Sequence, residues 1–227
     1  MVGQIIEWPS SLLRVASHSY FLGANSRQGD RDLSGRVQII STGDQIWSLQ
    51  MTIALDDDPA RIREFDAYVA MMEGMGNIAE FGVKDTLNYD HRVAPLQYPF
   101  SDGEYFSDDT GFIDGDATDV QPLIATEIAA SGAKLVTVAT SNPAITSLRV
   151  GDMFSHNYFL HRVTAWDAGD VSFLPALRTA VAVDDVLGTS PPVVRMRFAS
   201  DGEGRATRTI NNHRGALTIN FIEVFDR

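Results

Sequence analysis

The sequence contains no cysteine, which excludes disulfides, thiolate nucleophiles and cysteine-held metals together. Basic residues are scarce: 18 Lys and Arg stand against 30 Asp and Glu, a formal net charge of −12. Binding along a nucleic-acid backbone needs cations to neutralise phosphates, and docking on an anionic membrane needs them too. No specific nucleic-acid binding and no membrane insertion are therefore expected. Long apolar runs are missing as well, since none approaches the roughly 20 residues that span a bilayer. From Met1 to Pro9 there is neither a basic region nor an apolar one of the kind that opens a secretory signal. The expectation is a soluble, acidic protein made in the cytoplasm. What the chain does have is 227 residues, 44% of them hydrophobic and 21% charged, enough for one large or two small domains with real cores.

Strand patterns dominate. Trp47, Leu49, Met51 and Ile53 recur at a spacing of two, with polar Ser48, Gln50 and Thr52 between them, the signature of a half-buried strand. Residues 36–41 read as its partner, with Thr42-Gly43-Asp44 as the turn. Further strands are expected over 12–22, 78–83, 123–129, 134–139, 153–165, 170–174, 193–199, 205–210 and 216–224. Hairpin turns are expected at Ser131-Gly132 and at Asp167-Ala168-Gly169. One segment departs from this period. Ile62, Phe65, Val69 and Met72 recur at intervals of three and four and form one apolar stripe. Asp58 suits the N-cap, Pro59 the first helical position and Gly74 the stop, so one helix is expected at about 59–73.

Between about Lys84 and Thr118 the chain turns rich in Pro, Gly and acids, an irregular lead-in to a second β unit. Pro191-Pro192 marks the exit, and the strands after it have no partners nearby in sequence. The economical arrangement is one β domain made of both chain ends, 1–83 with 192–227, and a small β-barrel inserted at 84–191. Chain termini that lie close together make such an insertion tolerable.

The chemistry-bearing patterns are thin. His156 and His161 fall five apart in one expected strand, on opposite faces and badly placed to share a metal. Carboxylates at Asp114, Asp116 and Asp119 around Gly115, within 108–119, look like a calcium loop, but the closing glutamate and flanking helices of that motif are missing. Gly74-Met75-Gly76-Asn77-Ile78-Ala79 follows a helix and precedes a strand, the reverse of a dinucleotide fingerprint. Glu104 and Asp109, beside Tyr105 and Phe106, form a carboxylate pair in a loop that a glycosidase could use, and their separation is not readable from sequence. Trp8, Trp47 and Trp166 read as core or turn packing. No catalytic, cofactor-binding or metal-binding residue is assigned, no cofactor is expected, and the chain is not expected to be an enzyme.

An ordered set of stretches resembles a known family. Trp8-Pro9 is followed by a strand ending at Asn25, Leu33-Ser34-Gly35-Arg36-Val37-Gln38, and the Gly43-to-Trp47 entry to the alternating strand. After the helix and its glycine stop come Leu148 to Phe154, Leu160 to Thr164, and Ala168 to Arg178. Together these resemble the distal tail proteins of tailed bacteriophages, which sit between the tail tube and the host-binding tip; the stretch 84–120 lies outside the likeness. The resemblance implies a mainly β protein, with a β-sandwich-type ring-forming domain, one helix and an inserted small β-barrel. It implies a structural virion protein at the tail tip, a baseplate component assembled in the host cytoplasm. Its expected partners are further copies of itself in a hexameric ring, the tail tube protein, and hub or tip proteins, with weak glycan binding as a further partner class. A DNA-conducting ring gains from a carboxylate-lined channel, for which Asp56 and Asp57 are candidates. The alternatives are a carbohydrate-binding or depolymerase module at the tail tip, or a capsid decoration protein.

Overall fold

The computed structural model describes residues 3–9, 15–31, 34, 37–55, 58–83, 95–98, 112–118, 123–139, 148–167, 169–189, 191–205 and 215–225. The protein is mainly β, with one helix among the described residues, and the chain divides into two compact units, 1–83 with 193–227, and 84–192. In chain order the first unit supplies β1 (Ile5–Glu7), β2 (Val15–Arg31), β3 (Val37–Leu55), α1 (Pro59–Met71) and β4 (Ile78–Gly82). The second supplies β5 (Pro95–Tyr98), β6 (Phe112–Thr118), β7 (Leu123–Ala125), β8 (Leu135–Ala139), β9 (Met153–His156), β10 (Phe159–Asp167), β11 (Asp170–Leu174) and β12 (Val186–Leu187). β13 (Val193–Phe198) and β14 (Gly215–Glu223) return to the first unit.

The first unit is built on one mixed sheet in the order β1-β4-β13-β14-β3-β2. β14 lies between β13 and β3, so strands from the two chain ends share one ladder. One face is apolar: Trp47, Leu49, Met51 and Ile53 of β3 are buried with Val194, Met196 and Phe198 of β13 and Ile219 and Phe221 of β14. Helix α1 contributes Phe65, and Met72 just beyond it is also buried. Trp8 follows β1 and meets Phe65, Phe198 and Phe221 edge-on, with ring centroids at 6.0, 6.1 and 6.1 Å.

Local chemistry accounts for the helix and its ends. The Asp58 side chain accepts from the Ala60 amide at 2.9 Å and Pro59 opens the first turn, both suited to a helix start. Gly74 has φ +64, and a Cβ there would stand 2.5 Å from Asp201 Oδ1, so the position demands glycine on two counts. Asn77 then fastens the helix end to β1. Its amide donates to the Met71 carbonyl at 2.7 Å and its Oδ1 accepts from the Gln4 amide at 2.8 Å. Asn77→Ala leaves the Met71 carbonyl and the Gln4 amide without these partners, and should cost about 2 kcal/mol. Urea denaturation checks this, and an unchanged midpoint would remove Asn77 from the account.

The second unit holds a six-stranded sheet in the order β12-β7-β8-β11-β10-β9, nearly closed into a barrel. Its two edges meet where Ser155 in β9 and Gly188, just after β12, exchange backbone hydrogen bonds of 2.8 and 2.7 Å. Inside lie Leu123, Val136, Val138, Phe154, Val163, Val171, Phe173 and Leu187. A separate two-stranded ladder, β5-β6, falls in the stretch the sequence reads as irregular.

Three local expectations need correction. The expected pair of strands over 36–41 and 45–53, joined by a turn at 42–44, is instead one strand from Val37 to Leu55, β3, whose partner is β2. The irregularity sensed at 42–44 is real but smaller, a register shift between Ala24↔Gln45 and Ser26↔Ser41. β2 runs on to Arg31, well beyond the expected end near Leu22. The segment 153–165 is a hairpin, β9-β10, turned at Asn157 and Tyr158, whose φ values are 51 and 65. Positive φ at both central residues is the geometry of a two-residue hairpin turn, here made without glycine and so hard to see.

Candidate functional site

Two places in the described residues gather polar chemistry, one in each unit. The first is the outer face of β14, β3 and β2, opposite the core. Strand register sets it out in rows. Thr218 faces Thr52, which faces Ser17; Asn220 faces Gln50, which faces Ser19; Ile222 faces Ser48, which faces Phe21. Alternation that buries Trp47, Leu49 and Met51 on one side necessarily turns these residues to the other. Thr52 and Thr218 hydroxyls lie 3.2 Å apart, and the Gln50 amide donates to Asn220 Oδ1 at 3.2 Å. None of the nine residues in these rows is charged, in a chain that carries 30 acids. Phe21 is 64% exposed, and a shallow groove of about 440 Å³ runs over this face beside it. At the rim Glu203 accepts from the Asn220 backbone amide at 2.9 Å and from its side-chain amide at 3.2 Å. Its carboxylate is thus turned onto the sheet. On the β4–β13 side of the sheet the character changes to an ion pair, Arg195 donating to Glu80 at 2.7 Å.

The second place is the barrel. His161, in β10, is fully buried, stacked on Phe154 with ring centroids at 5.2 Å and edge-on to Phe173 at 5.1 Å. Its Nδ1 lies 2.9 Å from the Pro175 carbonyl oxygen. A carbonyl only accepts, so the ring proton sits on Nδ1. Nε2 is buried with no hydrogen-bond partner among the described residues. Burial lowers its pKa from 6.5 to about 4; the Pro175 bond opposes this, while the electrostatic influence of His156 and Arg178 nearby adds to it. His161 is therefore a neutral core residue at physiological pH.

His156 closes the barrel instead. It lies in β9 beside the Ser155–Gly188 seam, with Nε2 3.4 Å from Asp185 Oδ2 and Nδ1 3.3 Å from the Thr179 hydroxyl. Asp185 also caps its own turn by accepting from the Ala182 amide at 2.7 Å. The two histidines belong to opposite strands of one hairpin, rather than to opposite faces of one strand. Among the described residues no group of three or more His, Asp and Glu is placed to hold a metal.

The other sequence candidates divide cleanly. Gly74 to Ala79 is a helix stop running into β4. Trp8 and Trp47 are core residues of the first unit, and Trp166 packs partly buried against the barrel core. Glu104, Asp109, Asp119, Asp56 and Asp57 lie outside the described residues, as do the side chains of Asp114 and Asp116 in β6. The outer face was only half visible in sequence: Ser48, Gln50 and Thr52 show a polar side to one strand, while the matching rows depend on register with β14 and β2. No protein-family model matches the chain, and no curated protein is significantly similar to it.

Proposed function

We propose that the chain is a structural subunit of a bacteriophage tail: a ring-forming distal tail protein, without catalysis, that joins the tail tube to the host-binding tip. The observation that carries the reading is the interrupted architecture. β13 and β14 return to complete the sheet begun by β1 to β4, with the barrel inserted between β4 and β13. The family resembled by the ordered motifs has this plan of a ring domain interrupted by a small barrel. In this reading six copies close a ring, tail tube and hub or tip proteins meet it on either side, and the protein resides at the tail tip of the virion.

The acidity fits the same role. Phosphate backbones are held by Lys and Arg and repelled by carboxylates, so an acidic ring lets DNA pass without gripping it. The same surplus makes copies repel one another, and salt screens that repulsion over a length of about 8 Å at physiological ionic strength. Ring formation should therefore strengthen as salt rises. Negative-stain microscopy of the purified chain over a salt series tests both statements. Closed rings with a central opening, more abundant at high salt, are the expected result; particles that stay single at every concentration and salt overturn the ring reading.

A further inference from the structure

We infer that the groove on the outer face of β14, β3 and β2 is a binding site for a neutral oligosaccharide. The inference goes beyond the structural role proposed above and does not rest on it. Two rows of side chains line the groove, Ser19-Gln50-Asn220 and Phe21-Ser48-Ile222. Residues two apart along a strand lie about 7 Å from one another, so a line of amides and a hydroxyl runs beside a line that ends in an aromatic ring. The groove volume of about 440 Å³ falls in the range of small-ligand sites.

The amide row is ordered in advance. The Glu203 carboxylate only accepts, and it takes the Asn220 backbone amide at 2.9 Å and the Asn220 side-chain amide at 3.2 Å. Asn220 Oδ1 is thereby turned to Gln50, whose side-chain amide donates to it at 3.2 Å. Glu203 is itself held by the Ser200 hydroxyl at 3.2 Å. Its turn is seated on α1 through Gly204, where φ is +78 and a Cβ would stand 2.8 Å from Val69 Cγ1. Gln50 is exposed, and this chain leaves its carbonyl oxygen and one N–H to face outward in a fixed orientation. A donor beside an acceptor matches adjacent sugar hydroxyls, each of which both donates and accepts. Groups held ready in this way lose less freedom on binding.

Three observations select the ligand class. Phe21 is 64% exposed, and the negative face of an aromatic ring suits the polarised C–H groups of a sugar ring. The two rows carry no charge, while the chain as a whole carries −12, which repels an acidic sugar. Finally, an apolar ligand would strip water from these amides and hydroxyls without replacing its hydrogen bonds. A neutral polyol replaces them.

Saturation-transfer NMR on the full chain tests the site, with maltotetraose, mannotetraose and galactotetraose as neutral probes and sialyllactose as the acidic one. At least one neutral tetrasaccharide should receive saturation at millimolar concentration, and sialyllactose should receive less. Gln50→Ala and Phe21→Ala should each weaken that binding at least about tenfold, which corresponds to roughly 1.4 kcal/mol. Ile128→Ala, at a position 77% exposed in the second unit, should leave it unchanged. If Phe21→Ala lowers the melting midpoint, Phe21→Leu replaces it; leucine keeps the apolar bulk without the ring face, and the same weakening is expected. No saturation of any neutral probe, binding that survives in either face variant or falls equally in the control, or a preference for sialyllactose overturns the site. Each of those results leaves ring closure, read separately by microscopy, where it stands.

Discussion

Acidification from pH 7 to pH 4 is expected to cost the folded protein about 3 kcal/mol through His161 alone. The imidazole is neutral and sealed among Phe154, Phe173 and the barrel wall, with a folded-state pKa of about 4 against an ordinary 6.5. Between these values the unfolded chain binds a proton that the folded chain refuses. The stabilising difference is therefore complete above pH 6.5, declines as pH falls, and is exhausted near pH 4. His161→Phe keeps a flat ring of similar size between the same neighbours and removes the titration. It also removes the Nδ1–H bond to the Pro175 carbonyl, which costs about 1 kcal/mol. The variant should thus be slightly weaker than wild type at pH 7 and stronger at pH 4. Urea denaturation at both pH values measures this, and carboxylate protonation cancels because it is common to both proteins. Parallel pH curves for the two proteins would remove His161 from the acid response.

Where a feature of this fold depends on local chemistry, the sequence declares it. The alternation through Trp47 and Ile53 sits in β3, and the stripe through Phe65 with Asp58 and Pro59 ahead of it gives α1. The turn expected near Gly169 agrees with β10 and β11 pairing antiparallel, Asp167 facing Asp170. What stayed hidden depends on distant partners. β1 has only three residues, and it is a strand because Ile78 to Glu80 lies parallel beside it. β12 has two, fixed by Leu123 and Ile124. The length of β2 was obscured by its small and polar residues, which carry no apolar period; its ladder with β3 supplies the reason it is extended. The uncharged rows of the outer face have the same origin, because three unrelated stretches become one surface only through register. His161 was legible as a histidine in a strand and illegible as a core residue, since its burial comes from Phe154 and Phe173 on neighbouring strands.

The largest effect on stability is expected at the junction of the chain ends. Phe221 in β14 is buried and touches three other rings: Phe81 of β4 at 5.2 Å, Phe198 of β13 at 5.3 Å, and Trp8 at 6.1 Å. Replacing it by Ala removes a large side chain from a site where no single neighbour can collapse into the space. The cost should be about 3–5 kcal/mol, comparable to the whole margin of many domains. Because β14 holds β13 on one side and β3 on the other, chains ending before Gly215 should fail to fold the first unit altogether. Milder substitutions test whether the two ends act as one cooperative body. Trp8→Phe keeps a ring while removing an indole N–H that has no partner among the described residues, and Phe221→Leu keeps most of the volume. Since the two rings meet, the double variant should differ from the sum of the singles by roughly 0.5 kcal/mol or more. Additive effects, or a fragment of residues 1–83 that unfolds cooperatively by itself, would show that the returning strands are not needed to complete the sheet.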